Sequence, residues 1–201
     1  METPQLPSPL QGREFAAVVI GASAGGVNAL LEILPALPKA YPYPIVTVLH
    51  VMKGRQNQLA EVFQQRLAMR VLEAADKDEL RPGTLYFAPA GYHLSVEDGG
   101  VLSLSQEEPV HFARPAIDIT MASAADVYGP SLVGILLTGA NQDGAAGLAA
   151  IGAAGGLTVV QDPVEAQVAV MPNEAIRLRQ PDLVLNLQEI RSLLLKLEKK
   201  Q

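Results

Sequence analysis

The sequence predicts an α/β fold: a doubly wound, mostly parallel sheet flanked by helices, with an antiparallel hairpin insertion. Three observations predict it. Short, wholly apolar runs of strand length recur between segments of helical periodicity, which is the pattern of strands buried on both faces. The chain is 49% hydrophobic but only 4% aromatic, so the core is built from Ala, Val, Leu and Ile, as buried parallel strands favour. At 201 residues it is long enough to close such a core without disulfides or metals.

The elements follow in order. Residues 1–12 carry prolines at 4, 7 and 9 and read as a disordered lead-in to a single domain over residues 13–201. Phe15-Ala-Ala-Val-Val-Ile20 is a buried strand, and Val27 to Leu34 is helical until Pro35. Ile45-Val-Thr-Val-Leu49 is a second strand, and Leu59, Val62, Phe63 and Leu67 form the apolar stripe of a second helix. Strand, helix, strand, helix is the opening of a doubly wound sheet. Thr84–Phe87, Tyr92–Val96 and Val101–Leu104 then lack intervening helices, and Asp98-Gly-Gly100 offers the positive φ a hairpin needs. These three runs are expected to form the antiparallel insertion. A helix over residues 116–127 follows, then a strand at Ser131–Leu137, a helix at Gly144–Ala154, and strands at Leu157–Val160 and Asp182–Leu185. The closing helix sets Ile190, Leu193, Leu194 and Leu197 on one face.

Composition removes several classes of function. With no cysteine, thiol chemistry and thiolate metal sites are excluded. A net charge of −6 offers no footprint for nucleic acid. No apolar run reaches the roughly 18 residues of a membrane span, and the proline-rich start does not suit a signal peptide. The expected location is the cytoplasm.

Three segments carry chemistry. Gly21-Ala-Ser23-Ala-Gly25-Gly26 lies between a strand and a helix, a turn that lifts a serine hydroxyl into the open and aims helix N-terminal amides beside it. A tight turn or a phosphate cradle satisfies the same pattern. A dinucleotide site, however, requires glycine at the position of Ser23 and an acidic residue ending the second strand. That strand ends in Leu49-His50-Val51, which puts a base where Ser23 needs one. Thr138-Gly-Ala-Asn-Gln-Asp143-Gly is a third strand end, where Asp143 serves either as a helix N-cap or as the partner of a histidine ring proton. Ser, His and Asp occur in that chain order, unlike the Ser, Asp, His order of α/β-hydrolases. Of the other polar residues, His93 alternates within a strand and reads as structural, and His111 sits in a polar loop near the cleft. Neither has the acidic partners of a metal site, so none is expected. Arg114 carries a fork suited to a substrate carboxylate and equally suited to a surface position. Asp76-Lys-Asp-Glu79 reads as a solvated loop.

With these residues in view the chain resembles the catalytic domain of the chemotaxis protein-glutamate methylesterases, the CheB type. The likeness runs in order through Val19–Gly26, Val48-Leu-His-Val-Met52 with Phe63–Leu67, Leu85–Leu94, Arg114–Asp118, Thr138–Gly147 and Met171-Pro-Asn-Glu-Ala-Ile176. It covers about residues 15–190, and an ordered series of this length is far more specific than one motif. Departures fall around the trio: Ala24 stands for the family's Thr or Ser, Ala140 for Met, Asn141 for Gly and Ala116 for Ser. Lys53-Gly-Arg-Gln-Asn57 replaces a Pro-containing stretch, and Ala169-Val170 precedes the Met-Pro pair.

The resemblance implies a parallel α/β domain and a Ser23, His50, Asp143 triad that removes glutamyl methyl esters, or deamidates glutamine, on methylated chemoreceptor-like signalling proteins. It implies no cofactor. The backbone amides of Ala24 and Ala140 are the expected oxyanion donors, and Arg114 and Met171 the expected substrate-lining residues. The family's usual N-terminal receiver domain has no counterpart here, so phosphorylation control is not expected from these residues. An esterase acting on another substrate, or a non-catalytic binding module of the same fold, remain the competing readings.

Overall fold

A computed structural model describes residues 10–50 and 59–197. Seven parallel strands form the central sheet, in the order β3-β4-β2-β1-β7-β8-β9. They are β1 (Ala17–Ala22), β2 (Ile45–Leu49), β3 (Arg70–Glu73), β4 (Thr84–Phe87), β7 (Leu132–Leu136), β8 (Leu157–Gln161) and β9 (Leu183–Leu185). The remaining two strands, β5 (His93–Glu97) and β6 (Val101–Ser105), form an antiparallel hairpin of their own. The helices are α1 (Gly26–Ile33), α2 (Leu59–Gln64), α3 (Ile117–Tyr128), α4 (Ala145–Ala153), α5 (Val170–Leu178) and α6 (Leu187–Leu197).

Alternation along each strand divides the core in two. Val18, Ile20 and Ala22 of β1, Ile45 and Leu49 of β2, and Val133 and Ile135 of β7 face one layer with α1, α2 and α6. Ala17 and Val19, Val46 and Val48, and Leu132 and Leu136 face the other, with α3, α4, α5 and the hairpin. Every residue of β1, β2 and β7 is buried, so these strands need apolar side chains on both faces rather than an alternating pattern. At Gly134 the missing side chain lets Ile151 and Leu148 of α4 lie directly on β7.

The parallel sheet, the flanking helices and the hairpin agree with the predicted fold class, and the differences are local. Thr84–Phe87 is not in the antiparallel insertion; it is β4, paired in parallel with β2 and β3. The partner that draws it there, β3, was hidden in the sequence because it is a half-exposed edge of four residues with charges at both ends. The Met171-Pro172 loop is the first turn of α5, a position where proline loses no hydrogen bond the helix would have made. Helix α2 stops at Gln64, short of Leu67, and Val62 of its expected stripe is 44% exposed. Leu10, assigned to the lead-in, is buried against the α1 layer. Residues 1–9 of that lead-in and the Lys53–Asn57 stretch lie outside the described residues. Among the described residues no helix is long and apolar enough to cross a membrane.

Leu30, wholly buried between α1 and the sheet, measures the α1 layer. Leu30→Ala should destabilise the protein by about 2–5 kcal/mol, read as a lower urea midpoint at unchanged m-value.

Candidate active site

In a parallel sheet all strands end on one edge, and the crevice opens where the chain leaves a strand in opposite directions. Here that strand is β1: the chain runs from it through α1 to β2 and returns later as β7 on its other side. Ser23, His50 and Asp143 follow the ends of β1, β2 and β7.

Ser23 opens the turn from β1 into α1. Its N–H donates to the Thr138 carbonyl (2.9 Å), and its own carbonyl accepts from Gly26 N–H (2.8 Å). Gly25 completes the turn at φ 83°, and a Cβ there would meet Gln167 at 2.8 Å. Only glycine fits on both counts. The Thr138 hydroxyl donates to the Ala24 carbonyl (2.8 Å) and accepts from Val168 N–H (2.9 Å). One residue thus ties the serine turn, the end of β7 and the segment before α5 together.

His50 is fixed through its backbone, which donates to the Ala22 carbonyl (3.0 Å). Neighbouring strands lie about 4.8 Å apart, so the ends of β2 and β7 are about 10 Å apart across β1. The imidazole and a carboxylate span this gap: His50 Nε2 lies 2.9 Å from Asp143 Oδ2. Among the described residues Nε2 makes no well-aligned hydrogen bond, so its tie to Asp143 is a close ion-pair contact. A carboxylate this close to Nε2 favours the proton on that nitrogen and makes Nδ1 the candidate base. Ser23 and His50 line one cavity of about 670 Å³.

Asp143 is itself clamped. Its side chain is wholly buried, and it sits over the N-terminus of α3, accepting from Ile117 N–H (2.7 Å) and Asp118 N–H (3.0 Å). Burial pushes its carboxyl up; the His50 contact and these two amides outweigh burial and hold it below the ordinary carboxylate value. Asp118 returns the arrangement. Its Oδ1 accepts from Gly144 N–H (2.8 Å) and Gly147 N–H (2.7 Å), at the start of α4. Burial raises the Asp118 carboxyl, with the Asp143 charge adding to the rise, against the Gly147 and Gly144 amides and His111. Each helix N-terminus therefore holds a carboxylate carried by the other segment.

The cavity's far wall is the loop 109–115. Val110 and Ala113 exchange backbone hydrogen bonds (3.1 and 2.8 Å) around His111 and Phe112. Both central residues are left-handed, at φ 49° and 60°, a conformation that costs about 1–3 kcal/mol for each non-glycine residue. His111 Nδ1 lies 3.2 Å from Gln142 Nε2, and Nε2 lies 3.5 Å from Asp118 Oδ2.

The other predicted residues fall as follows. The amides of Ala24 and Ala140 donate no hydrogen bond among the described residues, which leaves two donors at adjacent strand-end turns. Arg114 lines the cavity, but its Nη1 donates to the loop's own Gln106 and Glu107 carbonyls (3.1 and 3.0 Å). Met171 is wholly buried beneath Gly139 rather than on the cavity wall. His93 is buried: Nδ1 accepts from Ala116 N–H (3.2 Å), so Nε2 carries the proton facing the Glu108 carbonyl (3.1 Å). Sequence reasoning passed over Thr138, Asp118 and Gln142. Thr138 and Asp118 each stand within a segment it had singled out, at a strand end and a helix start where a polar side chain meets unpaired backbone groups.

The fold is a parallel α/β sheet with a cavity at its strand ends, the architecture of many α/β enzymes. A family model described as CheB methylesterase matches residues 18–194. The chain belongs to the CheB methylesterase family. It is 42% identical over 184 residues to a putative protein-glutamate methylesterase/protein-glutamine glutaminase of Leptospira interrogans, covering 92% of this chain and 95% of that one. It is 37% identical over 190 residues to the protein-glutamate methylesterase FrzG of Myxococcus xanthus, covering 92% of this chain and 57% of that one. The crystal structure of the Thermotoga maritima CheB methylesterase catalytic domain superposes with a TM-score of 0.87 at 34% identity, covering 92% of this chain and all of that one.

The Asp143 clamp has a pH signature. A carboxyl held low in the folded state contributes stability that is full above its unfolded value near 4 and is lost as pH falls through the folded value. Asp118, held high, works in the opposite sense. Asp143→Asn should cost about 1–3 kcal/mol at pH 7, and the gap to the parent protein should close below about pH 4. Urea unfolding from pH 3 to 8 measures it.

Proposed function

We propose that this enzyme hydrolyses γ-glutamyl methyl esters on chemoreceptor-like signalling proteins in the cytoplasm, through Ser23, His50 and Asp143. The observation that carries the reading is the His50–Asp143 contact of 2.9 Å at the cavity that also exposes Ser23. Family membership and the methylesterase/glutaminase name of the Leptospira relative support the substrate.

In this mechanism Ser23 Oγ attacks the ester carbonyl while His50 Nδ1 takes its proton. The imidazolium that forms is stabilised by Asp143, whose low carboxyl stays ionised. Negative charge develops on the carbonyl oxygen, and the Ala24 and Ala140 amides are the donors proposed to receive it. This role needs no side chain, so alanine at both positions is compatible with it. Collapse expels methanol, protonated by His50. Water then attacks the acyl-enzyme, with His50 as base again, and releases the glutamate carboxylate. A glutamine side chain follows the same path with ammonia leaving. No step requires a cofactor.

A fluorophosphonate probe should modify Ser23, as located by mass mapping, and His50→Ala should abolish the adduct. Ser23→Ala should lower kcat/KM for a glutamyl methyl ester by about 10³-fold or more with little change in Tm. Retained activity in that variant would falsify the assignment. A well-folded parent protein that takes no adduct would favour a non-catalytic binding module.

A further inference from the structure

The cavity wall opposite the serine turn carries a feature the chemistry does not use. Phe112 is fully exposed, at 105%, whereas Phe15, Phe63 and Phe87 pack into the core. It stands at the tip of a two-residue turn whose central positions, His111 and Phe112, are both left-handed. Such turns relax with Asn-Gly; here two bulky side chains occupy them. Strained backbone persists only where its surroundings over-determine it, and this turn is braced at four points. Val110 and Ala113 close it from within. His111 reaches Gln142 and Asp118. The Arg114 guanidinium grips the carbonyls of Gln106 and Glu107, and buried His93 holds that of Glu108.

We infer that the His111–Phe112 turn is a docking element for the protein substrate, with Phe112 as an apolar anchor beside the residue being cleaved. The inference rests on the proposed function and adds a determinant of substrate choice to it. The occupant is the polypeptide segment bearing the glutamyl methyl ester, because the turn is continuous with the cavity that holds Ser23 and His50. A methyl ester alone is too small to reach both the serine and the rim. A rigidly presented aromatic ring has the properties of an interface anchor: large apolar area and little conformational freedom to lose. The His111 contacts to Gln142 and Asp118 join this rim to the segment carrying Asp143, so docking and catalytic elements share one frame.

The test compares two esters on the full chain: a helix-forming peptide with one γ-glutamyl methyl ester, and p-nitrophenyl acetate. Phe112→Ala should reduce kcat/KM for the peptide at least ten-fold more than for p-nitrophenyl acetate, mainly through KM, and Phe112→Leu should recover part of the loss. Phe112→Gly, which keeps His111 and its contacts, should not lower Tm, because it relieves the left-handed position, and should still lose the peptide preference. Equal effects on the two esters, or none, would overturn the inference. A second arm is independent of turnover: binding of the labelled glutamate form of the peptide to Ser23→Ala and to Ser23→Ala/Phe112→Ala. Docking predicts at least ten-fold weaker binding to the second, and equal affinity refutes it. Should the parent protein cleave neither ester, the hydrolase reading fails, and the binding arm still decides the role of the turn.

Discussion

The Asp143 carboxylate is the constraint on which the rest of the site depends. A buried charge in an apolar interior needs compensation from every side, and Asp143 obtains it from two amides of α3 and from His50. Meeting that need fixes where α3 begins relative to the end of β7. Asp118, one residue into α3, then caps α4 through Gly144 and Gly147, so the two helices are locked by exchanged carboxylates. Gly144 makes the close approach feasible: it is left-handed at φ 98°, and a side chain there would strike Leu136 and Ile117. The carboxylate that orients the histidine is thus also the one that positions a helix pair.

This dual use separates the residues that hold the frame of the site from those that do not. The three strand ends and their two bracing residues, Thr138 and Asp118, are committed to backbone partners. Ala24 and Ala140 are exposed turn residues whose amides donate no hydrogen bond among the described residues. Side chains there are free to change without disturbing the frame.

Much of this was legible in the sequence because the governing forces are local or periodic. A wholly apolar run such as Leu132–Leu136 must be buried on both faces, and residues following such runs must gather on one edge of a parallel sheet; that logic brings Ser23, His50 and Asp143 together. It fails where burial is partial. Arg70–Glu73 forms a strand only because β4 offers it an edge, and Thr84–Phe87 was misassigned with it. Met171 was expected at the substrate, yet its apolar side chain fills the space beneath Gly139. The His111–Phe112 turn could not be read at all, since neither residue favours the conformation that tertiary contacts impose. Asp118 looked like one acidic residue at a helix start, and its partner amides lie 26 and 29 positions further along the chain.

The placement of β1 between β2 and β7 also bears on how competence arises during folding. Ser23 and Asp143 are brought together by the parallel pairing of β1 with a strand more than a hundred residues away, and such contacts form late, after the entropy of closing a long loop has been overcome. The turn carrying Ser23 and the segment carrying Asp143 therefore share one frame only once two strands far apart in the sequence have paired.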